Sequence, residues 1–307
     1  MADIPAIDWS VAAEVGRRVV PPGLPLPANQ VRELVAGLHW AASRATERVS
    51  EVSLLPIAAP AQTVVVDRAS WIRSTAAMAG VMLAGIAEEH PPTLARRVGG
   101  RFFGAQAGLA LAWVSTRILG QFDPFGQPNR LLLVAPNVVA AERMMGVDPA
   151  DFRLWVCLHE QTHRFQFGAA PWLREHLIGL IGELLIDHED GQERPGNLEP
   201  ITAVMSVMEG HADVIMDVAG QGLIGSVESL RRRMEQRRDR GGLDAWLQKL
   251  IGLNIKREQY REGAAFCRAV IARAGVPGLN RVFEAPGVLP DLAELRAPER
   301  WLRRVGH

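Results

Sequence analysis

The sequence predicts a mainly α-helical protein with a small β element, an α+β fold in a single domain spanning residues 1–307. Over most of the chain apolar residues recur every three or four positions, which is typical of helices that pack on a core. Only two short runs, residues 63–66 and 130–134, have the composition and the flanking turn residues of strands. With 307 residues and 48% hydrophobic content, the chain can bury a large core.

The N-terminal subregion, residues 1–120, is predicted to be helical and to carry no chemistry. A helical apolar pattern covers residues 31–38, and Asp67 can cap a helix after the first strand. Another helix is expected over residues 102–118. Its Gly104 and Gly108 are four positions apart, and small residues at this spacing usually permit close helix packing.

The middle subregion, residues 121–225, begins in a turn-rich connector at residues 120–130. The second predicted strand follows and ends before Pro136, and a helix is expected from Asn137. This strand shortly precedes the histidine-bearing helix described next. Its edge could therefore pair with an extended peptide, although an ordinary buried strand is an equal alternative.

The next helix has clear boundaries in the sequence. Asp148 is a typical N-cap, and Pro149 occupies the first helical position. An apolar stripe then leads to His159 and His163, and the helix is expected to end near Gly168. Both histidines are therefore predicted to lie on the inward face.

These histidines belong to an H-E-x-x-H pentad, His159-Glu160-x-x-His163. Histidines four apart on a helix have Cβ atoms about 5–6 Å apart, so both imidazoles can reach one metal ion, for which zinc is the best candidate. Glu160 could then take a proton from the attacking water. Alternatively, both histidines are structural and form buried hydrogen bonds. This alternative gives no role to Glu160.

A second segment, residues 200–220, reads as a helix that is apolar nearly all round and yet contains Glu209 and Asp213. Buried carboxylates need partners. We predict Glu209 as the third metal ligand and Asp213 as a hydrogen-bond partner of a ligand histidine; a network of ion pairs with arginines is the alternative. His211 lies about 200° round the helix from each, so it either packs in the core or, if the helix bends at Gly210, reaches the substrate as a catalytic residue that holds the oxyanion.

The C-terminal subregion, residues 226–307, begins with a charged helix that is predicted to be solvated. A long helix is expected over residues 247–276. It contains Tyr260, whose phenol, with Lys256 nearby, could stabilise an oxyanion; a half-buried packing role is the alternative.

The pentad followed by Glu209-x-x-x-Asp213 resembles the gluzincin arrangement of zinc metallopeptidases. The boxes at residues 208–213 and Lys256-x-x-Gln-Tyr260-x-x-Gly263 are also similar to a zincin-like family of actinobacteria. Its members are often labelled as zinc-dependent hydrolases or as associated with deazaflavin coenzyme biosynthesis. The resemblance implies a helix-rich zincin-like architecture, with zinc held by the two histidines of the pentad and Glu209, and it favours a catalytic Tyr260.

The remaining features restrict the class of protein. Zero formal net charge and a pI near 7.1 favour neither nucleic acid nor an anionic membrane as a partner. No apolar stretch is long enough for a membrane span, and no secretion signal is recognised, so a cytoplasmic location with Cys157 and Cys267 as free thiols is expected.

The leading hypothesis is a zinc metallopeptidase, a hydrolase acting on a peptide or small amide substrate. The alternative is a catalytically silent, zincin-derived binding or regulatory protein with a structural zinc. The sequence does not indicate an oligomeric state.

Overall fold

A computed structural model describes residues 7–56, 60–84, 94–186, 198–225, 227–239 and 257–306, and it confirms the mainly helical class with one small sheet. The predicted helix over residues 247–276 is described from residue 257 onward. The helices are α1 Trp9–Val19, α2 Ala28–Ser53, α3 Arg68–Ala84, α4 Leu94–Ser115, α5 Ala135–Met145, α6 Pro149–Ala169, α7 Leu173–Ile186, α8 Glu199–Gly220, α9 Val227–Asp239, α10 Arg257–Asn280, α11 Leu292–Arg296 and α12 Pro298–Arg304.

The sheet has three strands, β1 Gln62–Val66, β2 Gly120–Asp123 and β3 Arg130–Val134. The strand order is β1-β3-β2, with β1 parallel and β2 antiparallel to β3. Both strands predicted from the sequence are confirmed, but β3 is the central strand and is paired on both sides. It therefore has no edge to offer to a substrate, which settles that alternative in favour of a buried strand.

The edge strand β2 lies in the segment that was expected to be a connector, so that expectation was wrong. Only four residues, Gly120 to Asp123, form this strand, and prolines and glycines follow closely. A short run with such flanks has no alternating pattern of its own. Pairing with β3, which is a tertiary interaction, makes it a strand.

Helices α1, α3 and α4 pack together around a small core at one face of the sheet. The predicted role of the two glycines in α4 is confirmed, because a Cβ added at Gly108 would lie 2.5 Å from the Ala12 carbonyl oxygen. A Cβ at Gly104 would lie 2.4 Å from the Asp8 carbonyl oxygen. The backbones of α1 and α4 therefore touch. The helix begins at Leu94, well before the predicted residue 102.

The larger core is built by α2, α6, α8 and α10. Helix α6 starts as predicted, because the Asp148 carboxylate accepts hydrogen bonds from the backbone N–H groups of Ala150 and Asp151 at 2.9 and 3.0 Å. Helix α8 is apolar on most of its surface and is held between α6 and α10. This arrangement turns one face of α8 toward the histidines of α6.

Helices α8 and α10 approach each other through glycines. A Cβ added at Gly210 would lie 2.3 Å from the Gly263 carbonyl carbon, and one at Gly263 would lie 2.0 Å from the Ser206 carbonyl oxygen. No side chain fits between the two backbones at this point. The glycine pair therefore sets how closely α10 passes the ligand-bearing part of α8.

Among the described residues, none of the helices combines the length and the apolar composition that crossing a bilayer requires.

Candidate metal centre

Three predicted ligands converge where α6 faces α8. The Nε2 atoms of His159 and His163 are 3.1 Å apart. The carboxylate oxygens of Glu209 lie 3.7 Å from His159 Nε2 and 3.6 Å from His163 Nε2. Among the described residues, this is the one group of at least three His, Cys, Asp or Glu side chains whose ligand atoms could hold a metal, all within 4.8 Å of one another.

The spacing fits a small tetrahedral ion. Atoms bonded at 2.0–2.2 Å to one tetrahedral zinc lie roughly 3.3–3.6 Å apart, close to the separations observed here. The side chains of His159, His163 and Glu209 are 17%, 14% and 24% exposed, so the cluster opens to solvent on one side. Two imidazoles and one carboxylate also match the donor set of catalytic zinc sites, which leave a position for water. The residues present therefore fit zinc.

Glu160 lies beside this cluster and is 8% exposed. Its side chain packs on Gly120 of β2, where an added Cβ would lie 2.7 Å from Glu160 Cγ. Burial raises the pKa of the Glu160 carboxyl to about 7, and the charge of Glu209 acts in the same direction. The charge of His163 and a hydrogen bond from the Phe122 backbone N–H lower the pKa. A carboxyl with a pKa near neutrality suits proton transfer.

The structure places a residue that we did not predict against a ligand histidine. His163 Nδ1 donates a hydrogen bond to Gln166 Oε1 at 2.9 Å. Asp213, which was expected to orient a histidine, is half-buried and, within the described part of the chain, hydrogen-bonds to neither His159 nor His163. The supporting contact to His163 therefore comes from α6 itself, three residues after the ligand.

His211 lies in the core beside Gln166. It is 0% exposed, its ring meets that of Phe283 edge to face at 5.0 Å, and burial lowers its pKa to about 4. Its Nδ1 lies 3.0 Å from Gln166 Nε2 and its Nε2 lies 3.4 Å from Asn280 Oδ1. Of the two predicted alternatives, this burial and these contacts match packing in the core, and a catalytic role for His211 stays a prediction.

The arginine network that was considered for this helix is present at Asp217. Asp217 forms ion pairs with Arg231 at 2.7 Å and with Arg268 at 3.6 Å. The backbone of Tyr260 lies in the first turn of α10, whereas its side chain, like all of Lys256, lies outside the described residues. The catalytic role of Tyr260 stays a prediction.

Two residues at the site, Gln166 and Gly120, were not predicted from the sequence, for different reasons. Gln166 follows His163 by three positions, a spacing that puts both on one helix face, so this signal was present. Gly120 is distant in the chain from Glu160, and no local pattern links the two.

Comparison with known proteins agrees with this geometry. The sequence pattern of a family described as zincin-like metallopeptidases matches residues 7–194 and 184–302. The chain belongs to this family. A search of curated proteins gives no match. Among solved structures, the chain is similar to a Chloroflexus aurantiacus protein described as "a putative hydrolase with a novel fold", at 28% identity and a TM-score of 0.73, over 97% of this chain and 98% of that one.

Membership of the zincin-like family and the cluster of His159, His163 and Glu209 together support a metal-dependent hydrolase, with zinc as the typical ion. Neither description mentions a deazaflavin coenzyme, and that expectation stays untested.

Proposed function

We propose that this zincin-like protein is a zinc-dependent peptidase with Glu160 as its general base. The observation that carries the proposal is the convergence of His159, His163 and Glu209 within 4.8 Å, with the buried Glu160 beside them. A structural zinc site is normally closed by four protein ligands, whereas the described residues offer three here and leave them partly exposed.

When bound, zinc would lower the pKa of a coordinated water and polarise a carbonyl group of the substrate. His159, His163 and Glu209 would hold the ion. Glu160 would accept the proton of the attacking water and deliver it to the leaving amine. Burial against β2 favours the first step, because it raises the pKa of the Glu160 carboxyl above its ordinary value of 4.5 and so makes the carboxylate a better proton acceptor.

The edge strand β2 supports a peptide as the substrate. It pairs on one side with β3, and the Phe122 backbone N–H on its other side reaches Glu160. An extended chain aligned with this edge would pass beside the general base. In backbone pairing of this kind, main-chain hydrogen bonds supply affinity for an extended peptide.

Tyr260 completes the proposal as a stabiliser of the oxyanion. It lies three residues before Gly263, the residue that packs α10 against the backbone of α8. In a helix, residues three apart share a face, so this position is on the side of α10 that approaches α8. Replacing Tyr260 by Phe should lower kcat with zinc retained.

The test compares wild type, Glu160→Gln and Glu142→Gln. Glu142 is also buried and is paired with Arg153 on the neighbouring helix, so it is a matched control. Metal analysis should find about one zinc per chain in all three proteins. Cleavage of a peptide library, followed by mass spectrometry, should fall by about 10²–10⁴-fold in Glu160→Gln alone.

Wild-type rates in Glu160→Gln would remove Glu160 from the mechanism. A zinc-loaded wild type that cleaves no peptide would overturn the peptidase and favour the alternative, a binding or regulatory protein with a structural zinc.

A further inference from the structure

The orientation of the Gln166 side-chain amide is determined by its surroundings. Gln166 Nε2 lies 2.8 Å from the carbonyl oxygen of Met208, which can only accept a hydrogen bond. The amide nitrogen, not the oxygen, must therefore face Met208. The oxygen consequently faces His163 Nδ1 at 2.9 Å, and because an amide oxygen can only accept, Nδ1 must carry the proton.

The contacts of Asn280 and His211 independently give the same orientation of the Gln166 amide. Asn280 Nδ2 donates to the Ser53 carbonyl oxygen at the end of α2, at 2.7 Å. Its Oδ1 therefore faces His211 Nε2, which must donate. The neutral His211 then has a bare Nδ1, which accepts the second hydrogen of Gln166 Nε2 at 3.0 Å.

We propose that Gln166, supported by His211 and Asn280, is the positioning residue that holds His163 in the tautomer with a proton on Nδ1 and a free lone pair on Nε2. The inference rests on the metal site of the proposed function and deepens it. Nε2 is the atom that faces Glu209 and His159. The imidazole is thus prepared for a metal before the metal binds.

Burial makes this arrangement difficult to reverse. Gln166 and His211 are each 0% exposed, so water cannot replace a lost partner. Reversing the Gln166 amide would point its oxygen at the Met208 carbonyl and leave the amide group facing His163 Nδ1–H, donor against donor. The three hydrogen bonds that Gln166 makes with His163, Met208 and His211 would be lost together, and buried networks of this kind favour a single arrangement.

The decisive comparison is Gln166→Met against Gln161→Met. Gln161 lies on the same helix, is 2% exposed and donates to a backbone carbonyl, that of Ala42 at 3.2 Å. It matches Gln166 in residue type and burial, but its hydrogen bonds within the described part of the chain go to Ala42 and Arg164 and not to a metal ligand. Zinc affinity, measured by competition with a chromophoric chelator, should fall about 10–100-fold in Gln166→Met and stay within about threefold of wild type in Gln161→Met.

A second readout needs neither bound metal nor activity. In zinc-free wild type with ¹⁵N-labelled histidine at pH 8, long-range ¹H–¹⁵N spectra should show His163 protonated on Nδ1. Gln166→Met should show a mixture of tautomers, and Gln161→Met the wild-type spectrum. A wild-type His163 protonated on Nε2, or equal zinc affinity in the two variants, would overturn the inference.

Failure of this inference is distinguishable from failure of the proposed function. Neither readout uses hydrolysis, so a protein that binds zinc but cleaves no peptide would lose only its proposed activity. Conversely, unchanged affinity in Gln166→Met would remove the positioning role and leave the peptidase untouched.

Discussion

At the scale of single residues, the buried carboxyl of Glu160 links the site to the stability of the metal-free protein. Burial raises its pKa from 4.5 to about 7, so between these values the folded chain binds a proton that the unfolded chain releases. The metal-free fold therefore loses stability as the pH rises through this window, and the full penalty applies above it.

Glu160→Gln removes this penalty because the amide stays neutral. Without metal, the variant should be more stable than wild type by about 3 kcal/mol at pH 8 and by less than about 1 kcal/mol at pH 5. Urea unfolding of the two metal-free proteins at both pH values measures the difference. A difference in the free energy of unfolding that is the same at pH 5 and pH 8 would show that Glu160 does not titrate in this range.

Gly120 is the second residue whose identity matters at the site. A Cβ at this position would lie 2.7 Å from Glu160 Cγ, so Gly120→Ala must displace the Glu160 side chain. Misplacement of a catalytic group by about 1 Å can cost about 10²-fold in rate, so kcat should fall by that order while zinc affinity stays unchanged. Gly287→Ala, where an added Cβ has no neighbour within 4 Å, is the control. Equal kcat in the two variants would contradict the role of Gly120.

At the scale of elements, the contact between α8 and α10 depends on glycine, and two glycines in helix interiors make a matched pair. A Cβ at Gly210 would meet the backbone of Gly263, whereas one at Gly179 in α7 would meet nothing within 4 Å. Gly179→Ala should therefore stabilise the protein by about 0.5–1 kcal/mol through helix propensity.

Gly210→Ala should instead destabilise the protein by about 1–3 kcal/mol, because two backbones must separate. Since Gly210 adjoins Glu209, zinc affinity should also fall. Urea unfolding and chelator competition report the two effects. A Gly210→Ala protein as stable as Gly179→Ala would show that the helices do not touch here.

At the scale of the whole molecule, the metal would connect α6 and α8, which are separated in the chain by α7. An ion that binds only the folded state stabilises it, by about 4 kcal/mol when its free concentration is 1,000 times Kd. Zinc removal should lower Tm, and zinc should restore it. Calorimetry with and without a chelator measures this, and Glu209→Gln should show a much smaller shift. An unchanged Tm after metal removal would argue against a native-state zinc site.

Much of this protein could be predicted from local sequence. The capped start of α6, the strands β1 and β3, the close packing at Gly104 and Gly108 and the convergence of the pentad with Glu209 all follow from short-range patterns or paired motifs. Turn residues and helical spacing are patterns of a few neighbouring residues. A buried carboxylate indicates that a partner must lie beside it, wherever that partner is in the chain. Such rules can be applied without coordinates.

Tertiary structure alone decided the rest. It made Gly120 to Asp123 an edge strand, put Gly120 beside Glu160, and gave His163 its hydrogen bond to Gln166 instead of to Asp213. It also placed His211 in the core. Each of these features depends on which strand, helix or backbone carbonyl packs next to the residue concerned. That is fixed only when segments distant in the chain pack together, because side chains that can both donate and accept, such as Gln166 and His163, take their orientation or tautomer from the partner they meet.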